Sequence, residues 1–378
     1  MALTTHENGN PPSIAPDELR IESMPAEHAF AGHREAWTGV VRELGLHLSL
    51  GPDWVRAAAV AHGQWDGMRT LVAWRGDEPV AFVPFRICVE RMWGISVRSL
   101  DLGGNLVAYH HEFAARECHE DLLRHLTSMG GWDLLRALNL NGSGATHRAL
   151  LAAAQGSMTA VTYPDAEIPF LPVAGSWDDF LKDCGRKLRK NVKRNERKIE
   201  SRNVEIERFT VPEHVPRLLD AMVAIEAASW KAEAGFAITE RPVEVEYYRA
   251  LLPQLASMGA LRGIVANLDG KPIAYNLSAS WNGQYGDLKT TYSAEFKDLA
   301  PGWYVRRMAI QDAHDEGVAE FDFLGPAEAH KLQWTKSVRR HVNVFLFGPS
   351  LRGRALGFLK RRVQARREAA ASADDAGE

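Results

Sequence analysis

Hydrophobic positions along this chain change their spacing several times, and each change marks an element. From Ala29 to Glu43, and again from Pro52 to His62, the pattern is that of a helix with one apolar face. Arg69–Arg75 and Pro79–Val89 read as strands, with Gly76-Asp77 as the turn between them. A Gly103-Gly104 loop, a helix over Glu112–Ser128 and an apolar run from Asp133 to Leu140 follow. A second series opens with a long helix predicted over Trp177–Arg202. Its stripe is Trp177, Leu181, Cys184, Leu188, Val192 and Ile199, interrupted at Asn195. Val204–Phe209 reads as a strand, Val215–Lys231 and Val243–Ser257 as helices. Leu261–Leu268 and Pro272–Trp281 are strands across a Leu268-Asp269-Gly270-Lys271 turn. Tyr285–Tyr292 is a further strand and Pro301–Glu316 a helix with proline early in it. Glu320–Leu324 and Val342–Phe347 are buried strands, and 351–370 is a basic helix before a frayed acidic end.

The two series are copies. Displaced by 193 positions, Trp37 falls on Trp230, Trp54 on Tyr247, Arg56-Ala57 on Arg249-Ala250 and Val72-Ala73 on Val265-Ala266. Pro79-Val80-Ala81-Phe82 falls on Pro272-Ile273-Ala274-Tyr275. The chain therefore reads as two tandem units, 19–170 and 176–350, with a disordered tail at 1–18 and the basic helix at 351–378. Strand–helix alternation is not regular, so a doubly wound sheet is not expected. The fold class is α/β in the α+β sense: in each unit a mixed, mostly antiparallel sheet flanked by helices.

Composition adds limits. With 378 residues, 46% hydrophobic and 25% charged, the chain is ordinary globular protein. The N-terminus lacks the basic start and apolar run of a signal peptide, and no stretch suits a bilayer crossing. Cys88, Cys118 and Cys184 are too few and too scattered for a disulfide framework, which points to a cytoplasmic location. The net charge of −3 conceals segregation: residues 182–202 hold ten Lys/Arg against three Asp/Glu, and 352–367 hold seven Lys/Arg and no acid.

Four segments can carry chemistry. Lys297-Asp298-Leu299-Ala300-Pro301-Gly302 leads from a strand into a helix start, where converging N–H groups suit a pyrophosphate; a plain helix N-terminus with its usual proline reads the same way. Asp322, between Phe321 and Phe323 at a strand end, is an expensive place for a charge unless it is paired or used. It could take or orient an amine proton, with Lys331 as its partner or as an anion holder, or it could cap the following helix. Glu226 and Trp230 share a helix face next to Lys231. Trp230 has its match in Trp37 and so reads as core, while His33 and Thr38 stand where the second unit has Glu226 and Lys231. Arg186, Lys190, Lys193 and Arg197 form a basic row that suits an anionic partner or is a solvated face. His110-His111-Glu112 and Cys118-His119 do not set three ligands on one face, so no metal is expected. Asn141-Gly142-Ser143-Gly144 is a turn, and neither a Walker loop nor G-x-G-x-x-G occurs.

Taken together, RKLRKNVKRNERKIE, EAASWKAEAGF, VANLDGKPIAYNLSA, the Leu299–Gly302 loop, FDFLGP and HKLQW resemble the GNAT-like acetyltransferases of the CelD/BcsL (cellulose-biosynthesis-associated) type, relatives of the FemABX peptidyltransferases. The resemblance covers roughly 176–348, and the first unit follows in layout more than in motif. It implies an acyl-CoA co-substrate, acetyl-CoA above all, held by Lys297, Leu299, Ala300, Pro301, Gly302 and Trp303. Ala300 stands where GNAT loops carry their first Gly, and Lys297 where they carry Gln or Arg. It further implies an amine acceptor near Trp230, Lys231, Tyr275 and Asn276, with Arg186, Lys190 and Lys193 on the substrate side. Asp322 or Glu226 would take the proton, Tyr292 or His330 would protonate the leaving thiolate, and a backbone N–H of the 285–292 strand would steady the oxyanion. The first unit would be a degenerate scaffold. The expected function is N-acyl transfer from a CoA thioester to a small-molecule or sugar amine in biosynthesis. The alternatives are a Fem-like transferase using aminoacyl-tRNA and a non-catalytic anion-binding module; the absence of a long heptad arm favours the first.

Overall fold

The computed structural model describes residues 18–103, 109–154, 158–348 and 350–375, with side chains to 364. The expected tail at 1–17, Gly104 and the last three residues lie outside them. The first half runs β1 (Leu19–Pro25), α1 (Ala26–Glu43), α2 (Pro52–Ala61), β2 (Arg69–Arg75), β3 (Glu78–Met92) and β4 (Ile95–Leu102). It continues with β5 (Ala114–Ala115), α3 (His119–Met129), β6 (Leu134–Asn141), α4 (Ala145–Ala153) and β7 (Thr159–Pro172). After α5 (Trp177–Asp183) and α6 (Arg186–Glu200) the same succession returns. It runs β8 (Glu205–Phe209), α7 (Val215–Ala227), the short α8 (Trp230–Glu233), α9 (Pro242–Ser257), β9 (Leu261–Leu268), β10 (Lys271–Trp281) and β11 (Gln284–Tyr292). Then come α10 (Pro301–Asp315), β12 (Glu320–Asp322), α11 (Ala329–Leu332), β13 (Val338–Phe347) and α12 (Leu351–Asp375).

All the described strands join one mixed sheet in the order β1-β2-β3-β4-β6-β13-β7-β12-β11-β10-β9-β8, with β5 on the flank of β3. The order is a palindrome under the repeat. β1 to β4 mirror β8 to β11, β6 mirrors β12, and the final strands are exchanged, so that β13 sits between β6 and β7. The sheet is continuous across the expected boundary at 170–176, because β7 pairs with both β12 and β13. Parallel pairing occurs at β4–β6 and β11–β12, where a helix crosses over. Three hairpins turn on Trp93-Gly94, Asp269-Gly270 and Asn282-Gly283, each with positive φ at both residues, whereas the Gly76-Asp77 turn has it at Gly76 alone.

Strand alternation splits the core between two faces. Tyr275 and Leu277 pack under α7 and α9, whereas Ile273 and Ala274 pack under α6 and α10. Trp54 and Tyr247, matched in the repeat, meet across the pseudo-twofold with ring centroids 6.4 Å apart, so the helical layer is shared between units.

Several sequence expectations are corrected. The helix expected over Trp177–Arg202 is two helices, because Cys184 and Gly185 are extended (ψ 156° and 148°); Cys184 Sγ and Arg189 return to carbonyls at the end of α5. The helix expected to Lys231 stops at Ala227, and Ser229 caps α8 through the Lys231 N–H. The helix expected from Glu112 starts only at His119; Glu112 instead accepts from the N–H of Thr146 at the start of α4. Trp230 is not core: it is 53% exposed, whereas Trp37 is 0% exposed and stacked on Phe82. Among the described residues no helix is long and apolar enough to cross a membrane.

Candidate active site at the break in the sheet

The site follows from one short strand. β12 has three residues, paired with Gln284–Gly286 of β11 on one side and Phe170–Pro172 of β7 on the other. Beyond Asp322 the chain leaves the sheet through Leu324 (φ 42°) and Gly325 (φ 73°), while β11 continues to Tyr292. Lys331 pins that turn by donating to the carbonyls of Leu324 (2.8 Å) and Pro326 (3.1 Å), and burial pushes its pKa down. The sheet opens as a cleft of about 860 Å³. Its walls include Leu288 and Lys289 of β11, Gly325 and Pro326, Asp165, Ala166 and Ile168 of β7, His341 of β13, Tyr109, and Arg241, Glu244, Tyr247 and Tyr248 around the start of α9.

Leu288 occupies a bulge. The β10–β11 register steps from Leu277↔Lys289 to Ser278↔Asp287, leaving Leu288 without a partner at the cleft. Beneath it lies a buried polar network. Glu226, 0% exposed, accepts from Tyr275 Oη (2.5 Å), the Ile238 N–H (2.7 Å) and Lys231 Nζ (3.2 Å), with Lys289 Nζ at 3.5 Å. Lys289 also donates to Glu244 at 2.7 Å. A buried carboxylate is tolerated because both oxygens meet donors, three at Oε1 and the Ile238 N–H at Oε2. Burial lowers the Lys231 pKa and raises those of Tyr275, Tyr247, Tyr248 and Tyr109, so the phenols are neutral donors.

The opposite face carries the start of α10. Ala300 is left-handed (φ 54°), Pro301 opens the helix, and no side chain caps it and no acid lies in its first turn. Gly302 permits close packing: a Cβ there would lie 2.7 Å from Tyr292 Cδ1. Trp303 stacks on Trp334 with centroids 4.8 Å apart, and Lys198 of α6 donates to the Asp298 carbonyl at 2.7 Å. Lys297 is exposed and Leu299 half-buried. Asn276 also points to this side, donating to Asp287 (2.7 Å), which accepts from Arg306 of α10 (2.7 Å). A second cleft, of about 580 Å³, lies between the α5–α6 junction and α11 and is lined by Cys184, Leu188, Asn191, Leu332 and Trp334 among others.

At the end of β12, Asp322 accepts from His110 Nε2 (2.7 Å), Arg339 Nη1 (2.9 Å) and the Leu324 N–H (2.8 Å). Burial works to raise its pKa; the His110 bond, the Leu324 N–H and the Arg339 charge outweigh it and hold the carboxyl at about 2. His110 Nδ1 lies 2.9 Å from His341 Nε2. Burial holds His341 at about 4 and His47, 5.3 Å from His110 between ring centroids, at about 3.

Glu226, Lys231 and Tyr275 thus converge under the cleft, and Asp322 and Lys331 fix its end. Tyr292, Pro301, Gly302 and Trp303 meet at the α10 start. Asn276 is turned away from the cleft, His330 is half exposed beside Glu328, and Arg186, Lys190 and Lys193 lie on the outer face of α6. Sequence reasoning missed Lys289, Glu244, Tyr109, Tyr248 and the histidine cluster. Lys289 had a visible signal, a charge inside a strand; His110 and His341 had none, being 231 residues apart.

A mixed sheet parted beside a bulged strand, with a helix starting at the opening, is the layout of GNAT-like N-acyltransferases. Residues 186–332 match the family model described as acetyltransferase (GNAT) domain. No curated protein matches the chain. Among solved structures it is similar to FemX (TM-score 0.54, 11% identity, covering 86% of this chain and 96% of that one). It is likewise similar to the C-terminal domain of a putative lysylphosphatidylglycerol synthetase from Agrobacterium fabrum (0.54, 13%, 88% and 96%). A conserved protein of unknown function from Bacteroides thetaiotaomicron VPI-5482 also matches (0.50, 14%, 78% and 89%). At these identities the likeness is one of fold.

Proposed function

We propose that this chain is an N-acyltransferase of the CelD/BcsL type, acting in the cytoplasm, that moves an acyl group, acetyl first of all, from a CoA thioester to an amine of a small molecule or sugar. One observation carries the reading: the break at β12, the bulge at Leu288 and the acid-free start of α10 coincide in a single unit. The residues fit the donor. The N–H groups of Gly302 and Trp303 lack side-chain caps, Pro301 contributes no N–H that would need a partner, and Lys297 and Lys198 add charge nearby. Ala300 takes the left-handed conformation for which related loops use glycine.

A diphosphate would rest on that helix start, Lys297 adding charge and Leu299 and Trp303 packing beside it. The Leu288 N–H would meet the oxyanion that forms when the amine adds to the carbonyl. Tyr109, Tyr248, Lys289 and Glu244 would seat the acceptor over the Glu226–Lys231–Tyr275 network, with Trp230 on the outer rim. Tyr292 and His330, on the α10 side, would protonate the leaving thiolate. Because Asp322 is saturated by donors and ionised, its part is to orient His110.

Calorimetry with acetyl-CoA, CoA and bulk tRNA tests the proposal. Micromolar acetyl-CoA binding is expected, with turnover when amines are supplied. RNA binding with a steep salt dependence and no CoA binding would instead favour the Fem-like reading, in which the exposed basic face of α6 grips RNA. Binding of neither leaves the anion-binding module.

A further inference from the structure

We propose that His341 is the proton acceptor for the acceptor amine, polarised through His110 by Asp322; this role rests on the acyltransferase reading. The direction of each hydrogen bond follows from the buried end. Asp322, held ionised by Arg339 and the Leu324 N–H, can only accept, so His110 Nε2 carries a proton and donates. Where His110 carries that single proton, its bare Nδ1 accepts from His341 Nε2–H at 2.9 Å. That leaves His341 Nδ1 as a lone pair with no hydrogen-bond partner among the described residues, on a ring that borders the large cleft. Two imidazoles and a carboxylate form a directed chain whose open end faces the space assigned to the acceptor. The geometry is the logic of a carboxylate-oriented histidine base, lengthened by one ring.

In the step itself, the neutral amine of the acceptor adds to the thioester carbonyl, and its nitrogen, made acidic as the N–C bond forms, passes H⁺ to His341 Nδ1. The C–S bond then breaks with its electron pair on sulfur. Asp322, through His110, favours the imidazolium so formed against the burial that disfavours it. The other charged or titratable groups around His341 are Arg339 on its own strand, Asp165 on β7 and, behind His110, His47.

The chain of tautomers can be read directly by long-range 1H–15N correlation on 15N-histidine-labelled protein, with His110→Gln and His341→Gln giving the assignments. At neutral pH the expected pattern is an unprotonated Nδ1 and protonated Nε2 for both residues. Asp322→Ala removes the acceptor that fixes the His110 Nε2–H, so the ordered tautomer pattern of both rings should be lost. A protonated Nδ1 on His341, or a doubly protonated His110, in the wild-type protein overturns the assignment even if the variant fails to fold. In turnover, His341→Gln should lower kcat about 10²- to 10⁴-fold with KM within about twofold, and remove the acid limb of the pH–rate profile. Wild-type transfer with His341→Gln unimpaired overturns this role alone. A wild-type protein that transfers to no amine overturns the acyltransferase reading and the role with it.

Discussion

The two halves share a succession of elements and differ at three places, all around the same spot. In the first half β6 has eight residues and continues alongside β13; its counterpart β12 has three and leaves the cleft. The β3–β4 ladder is regular, whereas the β10–β11 ladder carries the Leu288 bulge. α3 places Glu120 and Asp121 in its first turn, occupying the positive end of the helix with its own carboxylates; α10 has no acid there. Copies of one fold can thus be told apart by where they leave backbone groups unspent. The first half sets carboxylates at its helix start and braces the seam, and the second half leaves its helix start free of acid.

The same contrast runs through matched residues, and the largest expected effect tests it. Trp37→Ala should cost about 3–5 kcal/mol in chemical denaturation, as removal of a buried, stacked indole does. Trp230→Ala, at the matched but exposed position, should stay within about 0.5 kcal/mol. Equal losses would mean that the repeat is core in both halves. Next come Phe82 and Tyr275. Tyr275→Phe deletes a hydrogen bond to the buried Glu226 and should cost about 1.5–3 kcal/mol. Phe82→Tyr buries a hydroxyl with no carboxylate opposite and should cost about 1–3 kcal/mol. Either change proving neutral would break the assignment of a polar floor to the second half alone.

At the seam, pH supplies a further test. His341 and His47 have folded pKa values of about 4 and 3, below the ordinary 6.5, so the unfolded chain takes up protons first as pH falls. Asp322, held at about 2, adds stability that is present above the ordinary carboxylate range and is lost as pH falls through about 2. Stability should therefore rise with pH from about 2 to 6.5 and level off above. His341→Leu should remove up to about 1.4 kcal/mol per pH unit of slope between about 4 and 6.5. An unchanged slope in urea midpoints would contradict the burial of a neutral ring. The smallest expected effect is at Ala300, which takes a left-handed conformation that costs a non-glycine residue about 1 kcal/mol. Ala300→Gly should give back most of that in the denaturation midpoint without weakening acetyl-CoA binding.

What was legible in the sequence was local. Arg69–Arg75 and Leu261–Leu268 were readable to the residue, because alternation and flanking turns are short-range signals. The helix start at Pro301 and the repeat itself were equally visible. The break at Cys184-Gly185 was hidden because the apolar stripe continues across it in register. β1 and β7 were missed because their partners lie in distant stretches, β7 being fixed by β12 and β13 of the other half, while β4 was missed although it closes a two-residue hairpin with β3. Trp230 misled because identity across the repeat does not conserve burial once α7 ends early. Of the site, Glu226, Lys231 and Tyr275 could be named but not joined. The Asp322–His110–His341 chain was out of reach, since its three residues come from separate segments that only the exchanged last strands bring together.

Hydrogen exchange with and without saturating acetyl-CoA tests the central claim most directly, because it reports on both helix starts in one experiment. The amides of 300 and 302–304, with the β11 residues 286–292, should gain protection, and those of 117–121 at the start of α3 should not. Acetyl-CoA that binds while protecting the α3 start, or that leaves the α10 start unchanged, would contradict the assignment of the donor to the second half.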